Sequence, residues 1–320
     1  MSDIRIPQGM RDLIPEDCWK KEQLKNRIEE VFERYGYAKI ETPEIEYYET
    51  YRTAFGQLHD EEMYKFFDPS GEALTLRIDM TVPIARVCAT RYLNARPPFK
   101  FRYCADVFKV RHTFAGKRSQ VTDCGVELIG EDSASDLEVL KCALEVMGSL
   151  GVDYQLEIGN SDFFRKACRQ LNINDHDMDI LADLVDRKAL PELNEAAEAM
   201  GIKQPEFFEA LPLLNGAGAL EEAERISFSK ELRQEVETLK QLDQQLNALG
   251  YGKHLLFDFG KVPHLNYYTG IIFEGYVSGV GVGVLSGGRY DSLLQKFGRD
   301  LPACGFSVKL DYLLDAEVNL

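Results

Sequence analysis

Two stretches of alternating character decide the fold, and they read KFRYCADVFK at residues 100–109 and QVTDCGVELI at residues 120–129. Apolar and polar side chains alternate along both, as in a β-strand with one face against a core. The segment between them contains Gly116, Lys117 and Arg118, which predict a hairpin loop that carries positive charge. The sequence therefore predicts two neighbouring antiparallel strands joined by a basic loop.

Helical patterns lie on either side of this strand pair. An amphipathic helix is predicted after Pro15, because apolar residues recur at spacings of three and four until Gly36 supplies a stop. A capping box at Ser135 predicts a second helix that ends near Gly151. From residue 161 to residue 250 charged helix-forming residues dominate, and a leucine-rich stripe at helical spacing predicts the core of an all-helical insertion.

Strand character returns after the helical stretch, at residues 255–259, 267–276 and 280–285. There is neither a regular βαβ alternation nor an early GxGxxG motif, so a Rossmann arrangement is disfavoured. The pattern predicts an α+β fold, with an antiparallel sheet flanked by helices. The predicted domains are a discontinuous core of residues 1–160 and 251–320 and a helical insertion at 161–250.

Composition narrows the class of protein. The 320 residues carry a formal net charge of −16, which disfavours broad contact with the phosphates of tRNA. No apolar run approaches the roughly 18 residues of a membrane span and no signal peptide is recognisable, so a cytoplasmic protein without membrane contact is expected. The seven cysteines include no CxxC pair and the five histidines no HxxxH spacing. We therefore expect no disulfide framework, no metal site and no cofactor.

Several motifs carry a family resemblance. The segments NYYTG at 266–270 and GGRYD at 287–291 suit an amino-acid pocket. With PQGMRD at 7–12, TPE at 42–44 and LRIDMT at 76–81, they resemble the histidyl-tRNA synthetase family over nearly the whole chain. The resemblance implies a class II aminoacyl-tRNA synthetase-like fold. An enzyme of that family would continue beyond residue 320 into a tRNA-reading domain.

The resemblance also implies a histidine pocket made of carboxylates, one hydroxyl and two phenols. Its residues are Asp79, Thr81, Asp123, Glu127, Tyr267 and Tyr268. The first three would hold the ammonium group, Glu127 would accept from the imidazole ring, and the tyrosines would wall that ring. Asp123 stands where the family usually has a glutamine, and a carboxylate serves an ammonium group at least as well.

The residues that would handle ATP differ from the family pattern. The phosphate-gripping arginine falls on Lys109 and its glutamate on Arg111, while two further arginines fall on Pro263 and Tyr312. Three altered arginines would remove about 4–9 kcal/mol of transition-state binding, on the order of 10³–10⁶ in rate. We therefore expect no efficient adenylation of histidine, and Lys109 and Arg111 are expected to retain at most residual anion binding.

An intact amino-acid pocket with altered ATP motifs resembles the regulatory subunits of ATP phosphoribosyltransferase. That resemblance implies a non-catalytic chain that assembles with a short catalytic subunit and lets histidine inhibit the first step of histidine biosynthesis. It also implies a dimer through the region of residues 42–44. Two alternatives stay open: a truncated ligase that activates histidine or another amino acid, and a dimeric scaffold with an inert pocket.

Overall fold

The computed structural model describes residues 5–56, 60–111, 117–132, 134–262 and 268–316. Eleven strands lie within these ranges, in a large sheet and a small one. The strands of the large sheet are β1 (Ala38–Lys39), β5 (Phe99–Phe108), β6 (Gln120–Ile129), β7 (Tyr154–Asn160), β8 (Leu255–Phe257), β9 (Ile271–Val277), β10 (Leu285–Arg289) and β11 (Ala303–Lys309). The strands of the small sheet are β2 (Ile45–Tyr47), β3 (Lys65–Phe67) and β4 (Ala73–Leu76).

The large sheet has eight strands in the order β1-β5-β6-β11-β10-β9-β7-β8, and the small sheet has the order β2-β4-β3. β6 pairs antiparallel with both β5 and β11, as the alternating stretches predict. However, β1 runs parallel to β5, and β7 runs parallel to β8. The predicted antiparallel sheet is thus a mixed sheet, since the outermost strand pair on each side is parallel.

The described ranges also contain eleven α-helices. They are α1 (Pro15–Arg34), α2 (Tyr48–Phe55), α3 (Thr81–Thr90), α4 (Ala134–Ser149), α5 (Ser161–Gln170), α6 (Asp175–Asp186), α7 (Leu190–Ala199), α8 (Pro205–Ala210), α9 (Ala219–Ile226), α10 (Lys230–Ala248) and α11 (Leu310–Leu313). None of them is long and apolar enough to cross a bilayer. Six of these helices, α5 to α10, follow one another without an intervening strand, in keeping with the predicted α+β class.

The chain divides into two compact units. The first unit comprises Met1–Tyr154, Gly275–Gly287 and Asp291–Leu320, and the second comprises Gln155–Glu274 and Gly288–Tyr290. Residues 161–250 form the six helices α5 to α10 and no strand, and the structure describes that range throughout. The predicted domain boundaries at 160 and 251 stay a prediction, because the compact units divide at other residues.

The first unit is built on α1 and α4 beside the strands. Proline at the start of α1 fixes its φ, two acidic residues occupy its first turn, and Gly36 follows its end at φ +79°. The apolar stripe of α1 is buried, and Phe32 meets the edge of Phe306 with ring centroids 5.8 Å apart. This confirms the predicted amphipathic helix.

The start of α4 differs from its prediction. The helix begins at Ala134, and the Ser135 hydroxyl donates to the carbonyl of Asp132 at 2.7 Å. The carboxylate of Glu138 accepts hydrogen bonds from Tyr37 and Lys100. The helix therefore begins one residue before the predicted cap, and Glu138, the other member of the predicted capping box, is bonded to residues far away in the sequence.

The second unit has its own core. Asn160 caps α5 by accepting from the backbone N–H groups of Asp162 at 2.9 Å and Phe163 at 3.3 Å. Phenylalanines from α5 and α8 then stack edge to face, with the rings of Phe164 and Phe208 5.9 Å apart. The stripe of α10 is buried at Leu232, Val236, Leu239, Leu242 and Leu246. The predicted role of that stripe in the insertion core is confirmed for these residues.

The pairing of β5 and β6 brings two cysteines together. It runs from Phe99 opposite Ile129 to Phe108 opposite Gln120, and it places Cys104 directly opposite Cys124. The two cysteines form a disulfide. The sequence patterns do not reveal this single pair, because cysteines 20 residues apart are brought together only by the register of the two strands.

Candidate functional site

Two carboxylates of strand β6, those of Asp123 and Glu127, lie on one face of the sheet. Because side chains alternate along a strand, Asp123 and Glu127 share a face and lie roughly 13 Å apart along it. Asp123 is flanked by Ala105 of β5 and Lys309 of β11. Glu127 is flanked by β5 on one side and by Gly305 of β11 on the other. Both carboxylates therefore stand in the middle of three hydrogen-bonded strands.

Glu127 is buried, with 2% of its surface exposed. The Thr81 hydroxyl donates to its Oε1 at 2.7 Å. A Cβ at residue 305 would overlap Glu127 Oε2 and the carbonyl oxygen of Val126, so glycine makes the room that the carboxylate occupies. Thr81 and Glu127, both predicted as site residues, are thus in contact.

The start of α3 holds Asp79 in place. Its Oδ1 accepts from the backbone N–H of Val82 at 3.0 Å, and its carbonyl oxygen accepts from the hydroxyl of Tyr51 at 3.2 Å. That hydroxyl in turn accepts from the N–H of Ile78 at 3.1 Å. A carboxylate is stabilised at a helix N-terminus by the unpaired N–H groups and the helix dipole. These hydrogen bonds hold Asp79 at the start of α3, two residues before Thr81.

Asp123 differs from the other carboxylates, because its Oδ1 is buried and has no hydrogen-bond partner among the described residues. Its Oδ2 accepts from the Ser307 hydroxyl at 3.4 Å. Burial raises the pKa of the Asp123 carboxyl, although the charges of Lys309 and Lys109 act to lower it. A buried acceptor of this kind suits a ligand that brings its own hydrogen-bond donor and positive charge.

Several residues around these carboxylates belong to none of the sequence motifs. Lys309, opposite Asp123, donates to the Ser286 hydroxyl at 2.8 Å. Tyr103 is 3% exposed, and its hydroxyl lies where a Cβ of residue 125 would be, so Gly125 lets the ring lie over β6. The alternation along the strands does not identify Tyr103 and Lys309 as neighbours of Asp123 until the register of β5 and β11 is known.

Of the residues that replace the ATP-binding set, Arg111 is the most firmly paired. Its Nη1 forms an ion pair with Glu62 at 3.1 Å, while its Nε is buried without a partner among the described residues. Lys109 is half-buried, and its backbone N–H donates to the carbonyl of Ser119 at 2.8 Å. Glu62 already neutralises the charge of Arg111. Residual anion binding by Lys109 and Arg111 stays a prediction.

Tyr312 stands where an adenine-stacking arginine was expected. It is 6% exposed, and its hydroxyl accepts from the backbone N–H of Arg118 at 3.3 Å. The neighbouring Asp311 accepts from the N–H of Thr122 at 2.6 Å. A buried phenol in this position carries no cation to place over a base. Pro263, the other replaced position, lies outside the described residues.

Two tyrosines are predicted to wall the imidazole ring of the ligand. Tyr267 lies outside the described residues. Tyr268 belongs to the second unit, and its ring lies so close to Gly288 that a Cβ there would approach ring carbons to 2.8 Å. Gly287 and Gly288 lie within strand β10 rather than in a turn. A role for either tyrosine in walling a ligand stays a prediction.

The described part of this site combines carboxylates with two lysines beside Asp123. Carboxylates and hydroxyls line it, and no group of three or more His, Cys, Asp or Glu side chains in the described ranges is arranged to hold a metal ion. Lys109 and Lys309 place positive charge beside Asp123. An ammonium or imidazolium group would meet carboxylates, and a carboxylate group would meet lysines.

Known proteins with similar sequences include both synthetases and regulatory subunits. The family described as histidyl-tRNA synthetase matches residues 9–313. An ATP phosphoribosyltransferase regulatory subunit of Clostridium acetobutylicum is 34% identical over 318 residues, which is 97% of this chain and 78% of the relative. One of Caldanaerobacter subterraneus subsp. tengcongensis is 38% identical over 317 residues, covering 97% of this chain and 82% of the relative.

Solved structures give the same two names. An ATP phosphoribosyltransferase regulatory subunit/histidyl-tRNA synthetase from Bacillus halodurans superposes with a TM-score of 0.89 at 31% identity, covering 99% of this chain and 84% of that one. A histidyl-tRNA synthetase from Nostoc sp. PCC 7120 superposes with a TM-score of 0.80 at 25% identity, covering 98% and 75%. The predicted class II synthetase-like fold is thereby confirmed.

Proposed function

Because the chain belongs to the histidyl-tRNA synthetase family and, within it, to the ATP phosphoribosyltransferase regulatory subunits, we infer that it regulates histidine biosynthesis. We propose that it does so without chemistry of its own, and that a separate short-form catalytic subunit carries the phosphoribosyl transfer. A cytoplasmic location is part of this proposal, in keeping with the biosynthetic role of the relatives.

The state of the former ATP-binding positions supports a non-catalytic role. Adenylation requires cations that stabilise the charge developing on the phosphates. Here Arg111 is paired with Glu62, and the buried Tyr312 offers a phenol where a guanidinium would be needed. Lys109 keeps a charge but has no planar fork for bidentate phosphate binding. These residues do not make a phosphate clamp.

The proposed ligand of the regulatory site is histidine. The observation that carries this proposal is the buried Oδ1 of Asp123, which has no partner within the described ranges. A ligand ammonium group would satisfy that acceptor, and the Glu127 carboxylate, already oriented by Thr81, would accept from an imidazole N–H. We propose that one histidine contacts both carboxylates, which lie on the same face of β6.

Calorimetric titration of histidine into the full chain, alone and with the short catalytic subunit, tests this proposal. We expect saturable binding that weakens about 10–100-fold in Asp123→Asn and in Glu127→Gln, since each removes a charge-assisted hydrogen bond. Glu49→Gln on α2 is the matched control, because that side chain is 69% exposed and lies outside the site. Absence of histidine binding in both the free chain and the complex would refute the proposed ligand.

Feedback requires that histidine bind one state of the assembly more tightly than another. A coupling of about 1–3 kcal/mol is enough for a 5–150-fold change in affinity between sites. We expect the catalytic subunit to lose activity on addition of histidine only when this chain is present. Inhibition that is unchanged by Asp123→Asn would place the histidine site elsewhere.

A truncated ligase is the second candidate, and the positive charge kept at Lys109 is the observation that favours it. Such an enzyme would catalyse histidine-dependent exchange of pyrophosphate into ATP. The regulatory proposal predicts no exchange above the level of a Lys109→Ala variant. Exchange that is abolished by this substitution would favour the ligase.

We also propose that the chain self-associates through its three-stranded sheet. One face of that sheet is buried at Glu46 and Thr75. The other face presents Ile45 and Tyr47, which are 46% and 55% exposed and pair with the half-buried leucines of β4. A contiguous apolar face of this kind is typical of protein interfaces.

Sedimentation velocity of the full chain tests self-association. We expect a dimer that Tyr47→Asp converts to a monomer, because the substitution places a charge within the apolar face. Leu213→Asp is the control, since Leu213 is 67% exposed but lies in the second unit. A wild-type chain that is monomeric at micromolar concentration would rule out this interface.

A further inference from the structure

The disulfide between Cys104 and Cys124 lies on the sheet face opposite to the carboxylates. Cys124 follows Asp123 on β6, so their side chains point to opposite faces of the strand. The Cα atoms of the two cysteines are 4.0 Å apart in directly opposed positions. The crosslink therefore joins β5 and β6 at the rung next to the one that carries Asp123.

The two cysteines of this pair differ in burial. Cys124 is fully buried, whereas Cys104 is half-buried and lines a cavity of about 430 Å³. The rest of the lining comes from α1, from the segment before β2 and from neighbouring strand residues, and it includes three basic side chains, Lys21, Lys25 and Arg77. A cavity of this size accepts a small molecule, and Cys104 is the sulfur that such a molecule would meet.

The other cysteines contrast with this pair. Cys88, Cys142, Cys168 and Cys304 are buried, and burial raises the pKa of the Cys88 and Cys168 thiols to about 12. Thiols that stay protonated at neutral pH are poor nucleophiles. Cys18 is exposed on α1, away from this cavity's lining. Access through a cavity together with a directly opposed partner sets Cys104 apart.

We propose that Cys104 and Cys124 form a thiol–disulfide exchange site for low-molecular-weight thiols and disulfides. In the reductive direction a thiolate entering the cavity attacks the Cys104 sulfur, and the electron pair of the broken S–S bond leaves on the Cys124 sulfur. A second thiol then attacks the mixed disulfide and releases the Cys104 thiolate. Two thiols become one small disulfide, and the protein gains two electrons and two protons.

The lining of the cavity fits this chemistry. Positive side chains stabilise the thiolates that form during exchange, and Lys21, Lys25 and Arg77 supply them. Glu41, Glu44 and Asp106 also line the cavity, so its charge is mixed and does not restrict entry to anions. Because Cys124 is buried, it does not react with small thiols directly and exchanges only with the sulfur of Cys104. Cys124 is therefore the resolving cysteine of the pair.

The redox state of Cys104 and Cys124 determines whether β5 and β6 are covalently linked next to the carboxylates. In the oxidised chain β5 and β6 are covalently joined beside Asp123, and the side chain of Thr122 bonds that of Asp106 across the same ladder. Reduction releases the crosslink and leaves the hydrogen-bonded ladder. We expect the oxidised chain to melt roughly 5 °C higher, because the crosslink restricts the unfolded chain.

Peptide mapping of the full chain tests the exchange. The folded chain is incubated with oxidised glutathione or with dithiothreitol, quenched in acid, alkylated with N-ethylmaleimide and digested with trypsin, which cleaves after Lys109 between the two cysteines. We expect peptides linked through Cys104 and Cys124 after oxidation, labelled thiols after reduction, and repeated interconversion. A pair that stays labelled after oxidation, or stays linked under dithiothreitol in the folded chain, overturns the proposal.

Two variants separate the roles of the cysteines. Cys124→Ser should leave a stable mixed disulfide of glutathione on Cys104, whereas Cys104→Ser should leave Cys124 unmodified in the folded chain. Cys88→Ser is the control and should leave the linkage intact. Glutathione that accumulates on Cys104 of the wild-type chain without linkage to Cys124 also contradicts the proposal. If one variant fails to fold, the wild-type mapping and the other variant still decide.

An effect of this exchange on ligand affinity would rest on the proposed histidine site. Calorimetry on the oxidised and the reduced chain measures it, and we expect histidine affinities that differ between the two states by roughly threefold or more. Equal affinities in the two states would refute the coupling alone. Absence of histidine binding in both states counts against the proposed ligand and leaves the peptide mapping unaffected.

Discussion

The Asp123 carboxylate combines burial with an oxygen that lacks a partner in the described part of the chain. Because burial raises the pKa of this carboxyl, the folded chain holds the proton more tightly than the unfolded chain does. The stability gained in this way is complete below about pH 4 and is lost as the pH rises through the folded pKa. Above the folded pKa the ligand-free chain carries a buried, destabilising charge that a bound cation would compensate.

We predict that Asp123→Asn raises the stability of the ligand-free chain at pH 7 by about 1 kcal/mol. Asparagine has nearly the same shape as aspartate, but it places no charge in the buried position. The gain should shrink toward pH 4, where the wild-type carboxyl is protonated. Thermal melts of both chains across this pH range measure it. A variant that is less stable than the wild type at pH 7 would show that the carboxylate is already compensated in the free chain.

Gly305 gives a second prediction at this scale. A Cβ at this position would overlap the Glu127 carboxylate and the carbonyl oxygen of Val126, so Gly305→Ala must push β11 away from β6. We expect a loss of about 1–3 kcal/mol in the free energy of unfolding, together with weaker histidine binding. Gly281→Ala is the control, because a Cβ at Gly281 meets no atom within 4 Å. Equal urea midpoints for the two variants would contradict this prediction.

At the scale of single elements, the ends of the helices show how far local sequence decides structure. Asn160 caps α5 with two hydrogen bonds and is 4% exposed, and its amide also donates to Glu235 at 2.9 Å. Asn174 caps α6 from an exposed position, and its side-chain oxygen accepts from the N–H of Asp177 at 2.9 Å. Burial and the bond to α10 distinguish the first cap from the second.

We predict that Asn160→Ala destabilises the chain by roughly 2 kcal/mol, whereas Asn174→Ala costs about 0.5–1 kcal/mol. The difference arises because the first substitution leaves buried N–H groups unpaired, while water can replace the second cap. Chemical denaturation of both variants measures the two values. Equal losses would mean that burial adds nothing to the value of the cap.

At the scale of the whole molecule, the proposed regulation is a linkage between two binding events. If histidine changes the affinity of this chain for the catalytic subunit, the catalytic subunit must change the affinity for histidine by the same factor. A net charge of −16 makes the association of this chain with other chains depend on salt, so this factor should be measured at a fixed salt concentration.

We predict a coupling factor of about 5–150 between histidine and the catalytic subunit. Histidine titrations at saturating and at zero catalytic subunit give one value, and sedimentation of the complex at saturating and at zero histidine gives the other. The two factors should agree. A factor near one in both experiments would exclude feedback through this chain, even if histidine binds.

Local patterns in the sequence predicted the main helices and strands and pointed to candidate site residues. The alternation at residues 100–129 gave the central strand pair, and the 3.6-residue periodicity gave α1 and α10 with the side chains that they bury. These patterns are visible in sequence because side-chain direction follows local backbone geometry. Motif wording singled out Asp123 and Glu127, and alternation alone places them on one face of a strand.

Contacts between residues from distant segments became visible only in the folded chain. It placed Cys104 opposite Cys124, put Lys309 beside Asp123, cleared room for Glu127 at Gly305 and made the outer strand pairs parallel. Each of these outcomes depends on strand order and register. Register is fixed by the sum of packing and hydrogen bonding over the whole sheet, so no short stretch of sequence contains it.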